Sequence, residues 1–173
     1  SDIPRIFTKG TYHFPTIPGH EYSGIVSRVG SEKDSDWTGK PVAVFPLIPC
    51  KECEQCLNGK YEMCSNYDYT GSRRDGGFAQ FVAVPVWNLI ELPETIRFEH
   101  AAMLEPLAVA YHSAVRAQIQ EGDRVGVIGT GMIGISVAKW AASLGAAEVT
   151  VIGRGESKRQ LVENAGGIGY ALI

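Results

Sequence analysis

The chain has 173 residues, 45% of them apolar, and its 16 basic and 19 acidic side chains give a formal charge of −3. That length allows one compact domain or two small ones, and the near-neutral charge without basic or acidic runs excludes electrostatic nucleic-acid or membrane-surface partners. No apolar stretch reaches bilayer length: the most apolar segment, 101–115, carries Glu105 and His112. Residues 1–10 lack the apolar run of a secretory signal. The expected location is the cytoplasm, where the four cysteines serve as thiols or metal ligands rather than disulfides.

Up to about residue 98 the chain reads as irregular and β-rich. Runs of β-branched and aromatic residues at 22–29, 41–47, 78–84 and 88–92 are separated by Gly, Pro and Asp turns and interrupted by a long loop, 49–75. From there the pattern changes. An Ala- and Leu-rich helix is predicted over 99–118, with Pro106 near its start or kinking it. A strand over 124–128, a helix over 132–144, a strand over 148–152 and a helix over 157–165 follow, with a third strand beginning near Tyr170. Strand–helix–strand order predicts a parallel sheet with right-handed crossovers. So few parallel strands leave sheet faces and edges uncovered, and the C-terminal region reads as unfinished.

Every cysteine falls in one loop: Cys50, Cys53, Cys56 and Cys64, spaced C-x2-C-x2-C-x7-C. Four thiolates held so closely can surround one tetrahedral Zn²⁺, and an all-sulfur site is closed, hence structural rather than catalytic. Two short disulfides would close very tight loops and suit a cytosolic protein poorly. Iron–sulfur ligation is the other alternative and has no second signal here.

Gly129-Thr130-Gly131-Met132-Ile133-Gly134 matches G-x-G-x-x-G. Alone the pattern is weak, but here it follows a predicted strand and opens a predicted helix, the context a dinucleotide site requires. The first glycine makes the turn, the second admits a pyrophosphate, the third lets helix approach strand, and the helix N-terminus offers unpaired N–H groups to the phosphates. The alternative is a glycine turn that binds nothing. The next strand ends in Gly153-Arg154-Gly155 with no acid at its tip. A small residue followed by Arg154 suits a 2′-phosphate and tilts the cofactor expectation from NAD toward NADP, unless Arg154 is only a solvated turn residue.

Gly19-His20-Glu21 before a predicted strand, and Glu105-Pro106 within an apolar helix, are each weak signals, although a carboxylate among Ala and Leu needs a partner. In order, the chain reads G-H-E, a four-Cys lobe, D-G-G-F-A, L-E-P and G-x-G-x-x-G. That order resembles the zinc-containing medium-chain dehydrogenases. The Glu-Pro in place of a Cys, together with Ser1-Asp2-Ile3-Pro4-Arg5-Ile6-Phe7 and Gly71-Ser72-Arg73-Arg74-Asp75-Gly76-Gly77-Phe78-Ala79, resembles their sorbitol and polyol-phosphate branch. The resemblance runs along essentially the whole chain. It implies an α/β protein: a partial GroES-like β-rich catalytic domain over 1–112, with its zinc lobe at about 49–75, followed over 113–173 by the first half of a doubly wound Rossmann sheet. It also implies that His20 and Glu105 ligate a catalytic zinc, that Glu21 is a near-metal carboxylate, and that Ser1 is the hydroxyl of a proton relay.

The implied reaction is hydride transfer between a secondary alcohol, a sugar alcohol or polyol phosphate, and NAD(P), in a homo-oligomer. Arg73 and Arg74 are candidates for reading a substrate phosphate, with two solvated turn arginines as the alternative. His13, His100 and His112 lack motif partners, and Tyr61, Tyr67 and Tyr69 are expected to pack around the lobe. The family's first catalytic ligand, a Cys two residues ahead of the Ser-Asp pair, would precede Ser1, and the family's opening strands and second Rossmann half have no counterpart. The expectation is therefore the middle portion of such an enzyme. The rival readings are a catalytically inactive zinc-stabilised fragment and a sorbitol- or threonine-type dehydrogenase of the same family.

Overall fold

Short β-branched runs in the first half fold back on one another to form the sheet. β1 (Ser23–Ile25) pairs antiparallel with β2 (Pro41–Val44), and β2 with β5 (Leu89–Glu91), in the order β1-β2-β5. The register sets Gly24 opposite Val42 and Ala43 opposite Ile90. The structure, a computed structural model, describes residues 2–173. A second antiparallel pair, β3 (Leu47–Ile48) with β4 (Asp68–Tyr69), brackets the cysteine segment. The buried Asn88 joins the two sheets: its Nδ2 donates to the Phe45 and Leu47 carbonyls at 2.6 and 2.8 Å. The N-terminus is helical, as α1 (Asp2–Pro4) and a wider turn over Arg5–Lys9.

The chain divides into two compact units, one ending at Glu105 and the other Pro106–Ile173. In the second, β6 (Arg124–Ile128), β7 (Glu148–Gly153) and β8 (Gly169–Leu172) form a parallel sheet in the order β6-β7-β8. α5 (Met132–Ser143) and α6 (Arg159–Glu163) are the crossovers. Alternation along β7 buries Val149, Val151 and Gly153. Val149 and Val151 meet Ala138 and Ala141 of α5 and Val162 of α6 in one apolar cluster with Val127 and Ile168. This is a partial Rossmann-like parallel sheet, with the expected third strand present.

Three predicted elements differ. Residues 78–84 are not a strand: 78–80 bend, among the described residues no strand pairs with the run, and Phe78 and Phe81 stay exposed. The run at 22–29 is a strand only over β1; Val26 carries the pairing one step further through bonds with Lys40 and Gly39, and residues 27–29 form no ladder. The helix over 99–118 is two helices, α3 (Phe98–Ala101) and α4 (Leu104–Arg116). Pro106 has no N–H to give the Ala102 carbonyl and would clash with it, so the helix breaks at 102–103 and restarts with Pro106 in its first turn. The loop 49–75 also contains one short helix, α2 (Glu54–Leu57). Among the described residues no helix is long and apolar enough to cross a membrane.

Candidate functional site

The four cysteines come together. Sγ of Cys64 lies 3.5 Å from that of Cys50 and 3.9 Å from that of Cys53, and Cys50 lies 3.9 Å from Cys56. Sulfurs about 2.3 Å from a central ion in a tetrahedron are separated by roughly 3.8 Å, so the cage fits one Zn²⁺. Disulfide bonding would need about 2.05 Å, and all four are free thiols. Local structure builds the cage. Lys51 sits at φ 63°, turning the chain between Cys50 and Cys53, and Cys53 caps α2, which carries the buried Cys56. The Cys50 amide donates to Cys64 Sγ at 3.3 Å. Backbone N–H groups of Cys56 and Ser65 hold the Cys53 thiol down to about 5, and that of Cys50 lowers Cys64, whereas burial pushes Cys56 up to about 12.

A second cluster joins His20, Glu21 and Glu105, whose ligand atoms all lie within 4.8 Å of one another. Residues far apart in sequence aim these side chains. Gly76 and Phe78 N–H donate to the Ile17 and Pro18 carbonyls at 2.8 and 3.0 Å, Gly77 N–H to Gly19 at 2.9 Å, and Ile17 N–H to Asp75 Oδ1 at 2.9 Å. The D-G-G-F motif thus clasps the segment leading into His20. Glycine is required there: a Cβ on Gly76 would overlap the Gly19 carbonyl oxygen, and one on Gly77 the Tyr22 ring. Gly19 itself adopts φ 101°.

Two residues that the motif reading passed over complete this cluster. Asp2 Oδ1 lies 3.4 Å from His20 Nδ1, on the side away from Glu21, whose Oε1 is 3.8 Å from Nε2. A carboxylate at one imidazole nitrogen leaves the other to face a metal. Tyr69 hydroxyl donates to Glu105 Oε1 at 3.1 Å, and its ring lies tilted 5.8 Å from that of His20. Burial, and then the Glu105 charge, push the Tyr69 hydroxyl up, so it stays a proton donor to the carboxylate. Asp2 was signalled only by its place after Ser1. Tyr69 was expected only to pack around the lobe; its bond to Glu105 had no sequence signal, because it depends on β4 coming beside a residue 36 positions away. Ser1 lies outside the described residues. An imidazole with carboxylates is a donor set suited to Zn²⁺, and with fewer than four protein ligands it leaves a position open.

In the C-terminal unit, Gly129 follows β6 at φ 116°, and a Cβ on Gly134 would overlap its carbonyl oxygen, so helix and turn touch. Around Gly131 the space is open. Gly131 caps α5 without a side-chain bond, which leaves the N–H groups of Met132, Ile133 and Gly134 pointing outward from the helix end. A Cβ on Gly153 would strike Tyr170 and Thr130, so only glycine fits there. Arg154 is exposed. The loop after it is pinned: Tyr170 hydroxyl donates to the Gly155 carbonyl at 2.5 Å, and Arg159 stacks on Tyr170 while bonding Glu156. Arg73 is stacked between the Tyr12 and Tyr67 rings at 4.5 and 4.4 Å, and Arg74 pairs with Asp68 at 2.7 Å.

A thiol cage and a separate imidazole–carboxylate cluster lie in the unit ending at Glu105, and a partial Rossmann-like parallel sheet with a glycine turn lies in the other. The alcohol dehydrogenase GroES-like domain model matches residues 1–94, more than half of the chain, and the protein belongs to that family. Galactitol 1-phosphate 5-dehydrogenase of Escherichia coli K12 is 42% identical over 166 residues, which cover 96% of this chain and 48% of that protein. The crystal structure of galactitol-1-phosphate dehydrogenase from E. coli superposes with TM-score 0.89 at 40% identity, over 98% of this chain and 49% of that one. A Sinorhizobium meliloti 1021 protein solved bound to NADP gives TM-score 0.85 at 35% identity, over 94% of this chain and 47% of that one. The chain therefore spans about half the length of the relatives it matches.

Proposed function

We propose that the chain supplies the metal-binding and pyrophosphate-binding parts of a zinc-dependent dehydrogenase that moves a hydride between a secondary alcohol of a sugar alcohol or polyol phosphate and NAD(P). The observation that carries this reading is the convergence of His20, Glu21 and Glu105, in the same unit as a thiol cage that a structural ion would close. His20 and Glu105 would hold the catalytic zinc, and Cys50, Cys53, Cys56 and Cys64 the structural one. When bound, zinc supplies a Lewis acid that polarises the substrate oxygen, and the dinucleotide supplies the hydride acceptor.

The chain's own residues orient these groups. Asp2 turns the His20 ring, Tyr69 steadies the Glu105 carboxylate, and Glu21 stands beside the cluster as a carboxylate able to accept a proton or exchange with water. Ser1 is the proposed relay hydroxyl. Gly129, Gly131, Met132, Ile133 and Gly134 present the turn and helix end to a pyrophosphate. Gly153 and Arg154 at the tip of β7 are the proposed adenosine-ribose end of the site, and the Arg154 guanidinium supports a tilt toward NADP over NAD. Free thiols in the lobe suit a reducing compartment, and the cytoplasm is the proposed location. Family membership supports a homo-oligomer as the assembly.

The test is dinucleotide reduction by the zinc-loaded protein across hexitols, hexitol phosphates and threonine, with NAD and NADP compared. Turnover with a polyol or its phosphate, lost in His20→Ala and Glu105→Ala, is expected. No turnover with any substrate, although both zinc sites fill, would replace this reading with that of a zinc-stabilised binding module.

A further inference from the structure

We infer that Arg5 binds the terminal anionic group, phosphate or carboxylate, of an open-chain polyol substrate; this rests on the dehydrogenase reading above. A cavity of about 250 Å³ in the N-terminal unit is lined by Arg5, Tyr12, Glu62, Tyr67, Tyr69 and Ser72, among others. That is room for a small polar molecule rather than a single water. Tyr69 forms one wall, and its hydroxyl is bonded to Glu105 of the His20–Glu105 cluster, so one residue links the cavity to the proposed reaction centre. Arg5 is in the same N-terminal helical stretch as Asp2, the carboxylate beside His20. One short segment thus carries a metal-ligand partner and a guanidinium that reaches the cavity.

Charge and geometry select the occupant. Arg5 and Glu62 are the ionic side chains of the lining, and among the described residues no carboxylate pairs with Arg5; its contact is a loose one with the Tyr12 ring at 5.8 Å. The half-buried Arg5 presents a planar fork of donors that fits a phosphate or carboxylate in two parallel hydrogen bonds. Glu62 can accept from polyol hydroxyls and repels an anion from its own side, leaving Arg5 as the anion end. The arginines expected for this role are engaged elsewhere. Arg74 is paired with Asp68, and Arg73 is stacked between Tyr12 and Tyr67, where it props two of the cavity's walls without lining it.

Calorimetric titration of the zinc-loaded protein with a hexitol, the same hexitol 1-phosphate and the corresponding hexonate tests the assignment. Wild type should bind one or both anions more tightly than the hexitol, and the preferred anion identifies the substrate class. Arg5→Ala, with its cysteine-bound zinc retained as a folding check, should reduce that preference about tenfold or more, and Arg5→Lys should keep part of it. The inference is overturned if wild type binds all three alike, if it binds none, or if the preference survives Arg5→Ala and disappears in Arg73→Ala. Turnover measured alongside separates this site from the reaction. An Arg5-dependent preference without dinucleotide reduction removes the dehydrogenase reading and keeps the anion site. Turnover with an unchanged preference in Arg5→Ala does the reverse.

Discussion

The two compact units are held together by different means. Pro106–Ile173 is organised around a continuous apolar cluster in which Val151 and Val162 are fully buried. In the unit ending at Glu105 the buried apolar cluster is Ala43, Leu92 and Ala101, while Phe7, Phe14, Phe78 and Phe81 are exposed. What orders that half is backbone clasping, the Asn88 bridge and side chains gathered as ligands. The difference teaches where each unit is vulnerable: the second to lost volume, the first to lost ligands and to added atoms at its glycines.

The sharpest way to break the comparison is at the cysteine cage. Cys56→Ser should remove about one zinc equivalent and unfold the lobe, because metal binding is folding free energy in such sites; zinc content and thermal melting read it. If the variant melts like wild type, the first unit is not metal-ordered. Next in size is Gly76→Ala, whose Cβ has no space against Gly19 and Gly71. Such overpacking costs about 1–3 kcal/mol, and displacing His20 should empty the His20–Glu105 site while the cage keeps its ion. In the other unit, Val151→Ala should cost about 2 kcal/mol by cavity formation, leaving both zinc equivalents in place. The smallest effect is expected from Tyr69→Phe: zinc at the open site should weaken roughly tenfold, measured by competition with a chelator, with the cage unchanged.

That contrast also explains what could be read from the residues alone. The parallel sheet was legible because burial follows period-two alternation, as in β7, and because G-x-G-x-x-G must sit between strand and helix. The cage was legible because its ligands are neighbours in sequence. The run 78–84 misled, since its Phe and Val content says nothing about whether a partner strand is available, and the Phe78 N–H donates instead to the Pro18 carbonyl. The break between α3 and α4 followed from one proline whose cost a composition-based helix assignment underweights. Asp2 and Tyr69 were hidden because each acts on a residue distant in the chain: 18 positions separate Asp2 from His20, and 36 separate Tyr69 from Glu105.

The cysteine spacing has a consequence for the timing of synthesis. All four cage ligands lie between Cys50 and Cys64, a stretch of 15 residues, so the lobe has everything it needs once that stretch has emerged from the ribosome. The open cluster has no such autonomy, because His20 must wait for Glu105 to be added. At typical elongation rates of about 5–20 residues per second, a nascent chain that takes up an ion at the cage would carry it for several seconds before Glu105 is added. During that interval the ion-bound lobe would offer the later segments of the unit an ordered surface on which to settle.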